Sequence, residues 1–151
     1  MKIYQTQDIR NIALVGGAKS GKTSMAEAMA FCGGLINRRG TVDSKNTISD
    51  YRDIEHDRGY SVENTLMYTE FGGKKVNILD VPGFADYQGE LVSALNVVEA
   101  AVVVVNAQSG VEGYRSRWDY CDVANCLAAH LHNRAFAEIL FDFIHYGTEY
   151  L

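Results

Sequence analysis

Eight consecutive residues, Gly16-Gly17-Ala18-Lys19-Ser20-Gly21-Lys22-Thr23, carry the most chemistry in this chain. They fit the pattern G-x-x-x-x-G-K-[ST], in which glycines let the backbone curl until successive N–H groups point inward at phosphate oxygens. In such a loop the Lys22 ammonium reaches the β- and γ-phosphates and the Thr23 hydroxyl binds Mg²⁺. A glycine turn beside a stray lysine is the competing reading. It loses because an apolar strand leads into the loop and a helix leaves it. A second group, Asp80-Val81-Pro82-Gly83, follows the run Val76-Asn77-Ile78-Leu79. A carboxylate at the end of a buried strand can hold Mg²⁺ through water, and the glycine can offer its N–H to a γ-phosphate. Alone this group also reads as a strand-ending aspartate in a Pro-Gly turn. Both groups in this order make coincidence a poor account.

These groups need elements to place them. Asn11 to Val15 reads as a buried strand running into the glycine loop. Thr23 to Phe31, rich in Ala, Met and Glu, reads as a helix stopped by Gly33-Gly34. Thr65 to Phe71 and Lys75 to Leu79 read as two strands of a hairpin across Gly72-Gly73. Gln88 to Glu99 has a helical pattern, and Ala101 to Val105 is an apolar, buried strand. Strands apolar on both faces, alternating with helices, mean a mostly parallel sheet covered on both sides. Between Gly34 and Glu63 lies a long polar stretch without clear periodicity, a length that in compact domains usually marks a functional or mobile loop.

Composition bounds the class. The chain has 151 residues, 47% hydrophobic and 22% charged, enough for one globular domain with a core. No apolar run approaches the ~20 residues of a membrane-spanning helix, and the first residues lack a secretory pattern. Three cysteines without paired spacing fit a reducing compartment, so a cytoplasmic location without membrane contact is expected. A formal charge of -5 argues against DNA, or any partner held by a large basic field.

At this point the sequence resembles the nucleotide-binding domain of translational GTPases, specifically elongation factor G and its relatives, including ribosomal protection proteins. The likeness runs from about Asp8 to Gly113. It rests on Arg10-Asn11-Ile12-Ala13 leading into the phosphate loop, and on Asp57-Arg58-Gly59-Tyr60-Ser61-Val62, which looks like the family's E-R-G-I-T-I. Asp80-Val81-Pro82-Gly83 stands for D-T-P-G, and Ala101 to Glu112 looks like the strand and loop that follow. The resemblance implies GTP and GDP as ligands, Mg²⁺ as cofactor and the ribosome as partner. It implies nucleotide contacts from Gly16, Gly17, Ala18, Lys19, Ser20, Gly21, Lys22, Thr23, Ser61, Asp80 and Gly83, with Thr23, Ser61 and Asp80 serving the metal. Ser61 stands where the family has the threonine of its first switch, so Thr41 to Val62 is expected to be that switch and Gly83 to Tyr87 the second. A serine hydroxyl coordinates as a threonine does, without the methyl that restricts its rotamer.

Three departures from the family pattern bear on function. Phe84 occupies the place of the histidine that positions attacking water, and a phenyl ring has no donor or acceptor, so no catalytic residue is evident. His56, in the first switch, is only a weak substitute. Lys19 stands where the family usually has an aspartate associated with a monovalent cation, and its ammonium is a candidate replacement for that cation. The base-reading N-K-x-D is missing: Asn106 is followed by Ala107-Gln108-Ser109. The expected architecture is an α/β, three-layer P-loop NTPase fold with a mostly parallel sheet, truncated relative to its family, plus C-terminal helices. Residues 1–113 make a partial GTP-binding domain. Residues 114–151 make a helical tail, from the spacing of Trp118, Cys121, Ala124, Ala128, Leu131, Ala135, Ile139 and Phe143. Cys121, Cys126, His130 and His132 match no familiar zinc spacing. Three readings follow: an elongation factor G-like GTP-binding protein with weak hydrolysis, a non-hydrolysing nucleotide module at the ribosomal factor site, or a remnant without nucleotide function.

Overall fold

The computed structural model describes residues 2–106. Strand β1 (Ile9–Val15) owes its central place to its composition: Ile12, Ala13, Leu14 and Val15 are all buried, so it must be covered on both faces. It pairs in parallel with β3 (Lys74–Asp80) on one side and β4 (Ala100–Val103) on the other. The fourth strand, β2 (Thr65–Phe71), lies at the edge, antiparallel to β3, giving the order β2-β3-β1-β4. The β2–β3 turn holds Gly72 and Gly73 at φ 55° and 77°. Positive φ at both central residues is what a two-residue hairpin needs to match the strand twist.

Alternate residues of β1 address different layers. Ile12 and Leu14 meet Ala26, Met29 and Ala30 of helix α1 (Lys22–Cys32), together with Met67, Val76, Ile78, Ala100 and Val102. Ala13 and Val15 face the opposite side, where Val81, Ala101 and Ala94 of a later helix (Gln88–Leu95) close a second core. Helix, sheet, helix is the three-layer α/β architecture expected from the sequence, with two of the three strand pairings parallel. The expected C-terminal helices lie outside the described residues.

Local corrections have physical causes. The polar stretch 34–63 contains helix α2 (Asp53–Arg58), six residues with the sequence DIEHDR, which periodicity cannot reveal. It is held by Glu55, which accepts from the amide of Arg52 at its start, and it ends at Gly59 with φ 71°. The helix Gln88–Leu95, α3, stops short of the expected Glu99 because the chain must turn for β4 to reach β1. The Val97 amide bonds back to the Ala94 carbonyl, and the Glu99 carboxylate leaves to accept from the amide and side chain of Asn11.

Candidate phosphate-binding site

The loop 16–23 connects β1 to α1, so its shape is fixed by what β1 touches. Beyond Val15 the chain meets the end of β4: the Val104 amide donates to the Val15 carbonyl at 2.8 Å. Gly16 has φ 146°, and a Cβ there would stand 2.2 Å from the Val104 carbonyl oxygen, so only glycine fits. Gly21, at φ 99°, caps the N-terminus of α1. Lys19 is exposed at φ 61°, an unusual conformation for a side-chain-bearing residue, and its carbonyl accepts from Asn106 Nδ2 at 3.3 Å. Ser20 presents a buried hydroxyl with no hydrogen-bond partner among the described residues.

Lys22 begins α1 and folds back under the loop. Its ammonium donates to the carbonyls of Gly16 at 3.0 Å and Gly17 at 2.7 Å. Burial lowers its pKa, partly opposed by the negative charge of Asp80. Thr23 Oγ1 donates to Asp80 Oδ2 at 2.7 Å, which ties α1 to the end of β3. The turn after β3 brings Gly83 onto the same loop. A Cβ at Gly83 would lie 2.5 Å from Lys22 Nζ and 2.7 Å from both the Ala18 nitrogen and the Gly17 oxygen. Lys22, Thr23, Asp80 and Gly83, drawn from separate stretches, therefore converge on one loop.

Ser61 joins by a different route. Its hydroxyl donates to Asp50 Oδ1 at 2.6 Å, not to Asp80. Asp50 is buried, its Oδ2 has no partner among the described residues, and its carbonyl oxygen lies 2.7 Å from His56 Nε2. The neighbouring Ser49 donates to Asp80 Oδ2 at 2.6 Å. Asp80 thus receives two hydroxyls on one oxygen, while Oδ1 is buried without a partner among the described residues. Burial raises the pKa of Asp80, an effect that Ser49, Thr23 and Lys22 oppose and Asp50 strengthens. Burial likewise raises that of Asp50, against the hydrogen bond from Ser61.

Sequence reasoning passed over Ser49, Asp50 and Glu27. Glu27 lies on the buried face of α1 and accepts the amides of Gly40 and Ile48, pinning the stretch 40–48 to the helix. A carboxylate beside Ala26, Met29 and Ala30 was the available signal, because a buried acid demands donors from elsewhere. Phe84 is partly exposed, with its ring centroid 4.4 Å from that of Tyr60. Among the described residues, no group of three or more His, Cys, Asp or Glu stands together as a metal site. The histidines and cysteines of the tail lie outside those residues.

A hydroxyl and a carboxylate with an open buried oxygen are hard oxygen donors, so the chemistry suits a small hard cation that arrives with phosphate and water. Comparison with known proteins places this geometry. Residues 7–119 match the family described as the elongation factor Tu GTP binding domain. Peptide chain release factor 3 of Streptococcus thermophilus is 40% identical over 107 residues, which is 68% of this chain and 21% of that protein. The chain thus spans about a fifth of the length of the curated relatives it matches. A crystal structure of a protein from Thermus thermophilus superposes with a TM-score of 0.67 at 39% identity, over 69% of this chain and 16% of the other. A bacterial selenocysteine-specific elongation factor, at 20% identity and a TM-score of 0.54 over 68% of this chain and 16% of its own, shares the fold. With a phosphate loop, a facing aspartate and a match across most of its length, the chain belongs to the elongation factor Tu GTP-binding-domain family, the G domain of translational GTPases.

Proposed function

We propose that residues 1–113 form a guanine-nucleotide site of the kind carried by elongation factor G-like translation factors, binding GTP and GDP with Mg²⁺ and hydrolysing GTP slowly. One observation supports this best: the Lys22 ammonium, the Thr23–Asp80 hydrogen bond and the backbone of Gly83 meet on the loop 16–23. In this reading the amides of Gly16 to Thr23 surround the β-phosphate, Lys22 bridges phosphate oxygens, and Gly83 offers its N–H to the γ-phosphate. Thr23 and Asp80, with Ser61, are the groups that would hold Mg²⁺, which when bound neutralises charge building on the phosphates. Lys22 already donates to two carbonyls, and an ammonium has a third N–H for phosphate. Phe84 offers no group to orient water, and its ring is taken up by Tyr60. Turnover then rests on charge stabilisation alone. The ribosome and a cytoplasmic setting belong to the same reading, as does residues 114–151 forming a helical tail.

A second reading, a nucleotide-holding module that does not hydrolyse, is favoured by the same Phe84–Tyr60 contact. Equilibrium binding of fluorescent GTP, GDP and ATP analogues with Mg²⁺, beside Lys22→Ala, tests the site. Guanine analogues should bind and the variant should lose them. Equal binding of ATP analogues would leave a phosphate site without base choice, and a folded chain that binds none would sink the proposal. Single-turnover hydrolysis with and without ribosomes separates the two readings.

A further inference from the structure

The stretch from the end of α2 to Asn64 and the stretch from Phe84 into the first turn of α3 touch at three places. The rings of Tyr60 and Phe84 lie with centroids 4.4 Å apart, tilted by 53°. Arg58 Nη1 donates to the Tyr87 hydroxyl at 2.8 Å, while its guanidinium carbon lies 6.0 Å from the centre of the Tyr60 ring. Asn64 donates twice to Glu90, from its backbone amide to Oε2 at 3.0 Å and from Nδ2 to the carbonyl oxygen at 2.7 Å. Residues 58–64 and 84–90 are therefore joined by an aromatic contact together with polar ones. None of these contacts involves the phosphate loop. Yet each ring is adjacent in sequence to a residue of the proposed site, Tyr60 to Ser61 and Phe84 to Gly83.

We propose that this clasp makes the two segments one mechanical unit, and that Tyr60 and Phe84 are positioning residues whose task is to fasten it. A ring at 84 alone would be an exposed apolar group. Set against Tyr60, it gains a partner, and the pair ties the strip carrying Ser61 to the strip carrying Gly83. Neither strip can then move toward or away from a γ-phosphate without carrying the other. The inference rests on the nucleotide-site reading for what it regulates, whereas the clasp itself can be tested without nucleotide.

Hydrogen–deuterium exchange on the full chain, first without nucleotide, tests it. Phe84→Ala should speed exchange of amides in 58–64 as well as its own strip, and Tyr60→Ala should do the same in 84–90. The expected size is about two- to tenfold, the weight of one aromatic pair. Tyr60→Ala with Phe84→Ala should add little to either single change, because both remove the same contact. Amides of β1 and β3 report whether the fold is intact, and Phe84→Leu and Tyr60→Leu serve if the alanine variants unfold. Loosening confined to the substituted strip, or full additivity in the double variant, would overturn the clasp. In a second arm, release of a fluorescent GDP analogue should be faster in each single variant by a similar factor. Absence of nucleotide binding by the parent chain would overturn the nucleotide reading and leave the exchange pattern to decide the clasp.

Discussion

Asp50 and Asp80 are buried carboxylates, and each keeps one oxygen without a partner among the described residues. Burial penalises their charged forms; for Asp50 the Ser61 hydroxyl and His56 oppose this while Glu55 and Glu27 add to it, and for Asp80 the Ser49 and Thr23 hydroxyls and Lys22 oppose it. The consequence for stability has a definite sign. The folded-state pKa of Asp50 lies above its ordinary value of 3.8, so the folded chain holds a proton there more tightly than the unfolded chain does. Its contribution is present below that ordinary value and is lost as pH rises through the raised one. Asp50→Asn keeps an acceptor for the Ser61 hydroxyl and removes the charge. Urea denaturation of the nucleotide-free chain from about pH 4 to about pH 7 should show the parent losing stability relative to Asp50→Asn. A gap that stays constant, or closes, would mean the carboxylate is well solvated or paired in solution.

The elements differ in how openly the sequence announces them. β2 and β3 are legible because their burial alternates, Met67 and Thr69 inward, Leu66 and Tyr68 outward, for example, and β1 because its apolar run is unbroken. The stretch 34–63 is opaque because its order is tertiary. Its amides are claimed by Glu27 of α1, and Glu55 accepts from the Val62 amide, while Ser49 and Ser61 are placed by Asp80 and Asp50. No local pattern encodes a partner supplied by another element. The phosphate loop is the opposite case, since glycines, lysine and threonine are consecutive and the strand before them is plainly apolar. This difference yields a test. Glu27→Ala leaves the amides of Gly40 and Ile48 without their acceptor, a cost of about 1–3 kcal/mol if they stay buried. The stretch should instead come loose. Trypsin should cut at Arg38, Arg39 or Lys45 faster in the variant than in the parent, with exchange of β1 amides little changed. Equal cleavage rates would show that α1 does not hold this segment.

At the scale of the whole molecule, ligand and fold are linked, because the phosphate loop joins β1 to α1 and meets the turns after β3 and β4. Anything that binds the folded form alone stabilises it by about 2.7 kcal/mol at a hundredfold excess over its Kd. Saturating GDP with Mg²⁺ should accordingly raise the Tm of the parent by several degrees and leave that of Lys22→Ala unmoved, as calorimetry or fluorescence would register. An equal rise in both would place the binding elsewhere. The order β2-β3-β1-β4 has a last consequence, for time and not for energy. The strand made early in synthesis lies in the middle of the sheet, and Asn11 bonds to side chains 66 and 88 residues further along. Such distant pairings close slowly. A growing chain therefore carries the residues of the phosphate loop long before it can give them their shape. Until Val104 emerges, the Val15 carbonyl lacks its donor and Gly16 has nothing to lie against. Of the two motifs of the site, the one synthesised earlier cannot mature until the later one and the end of β4 have followed.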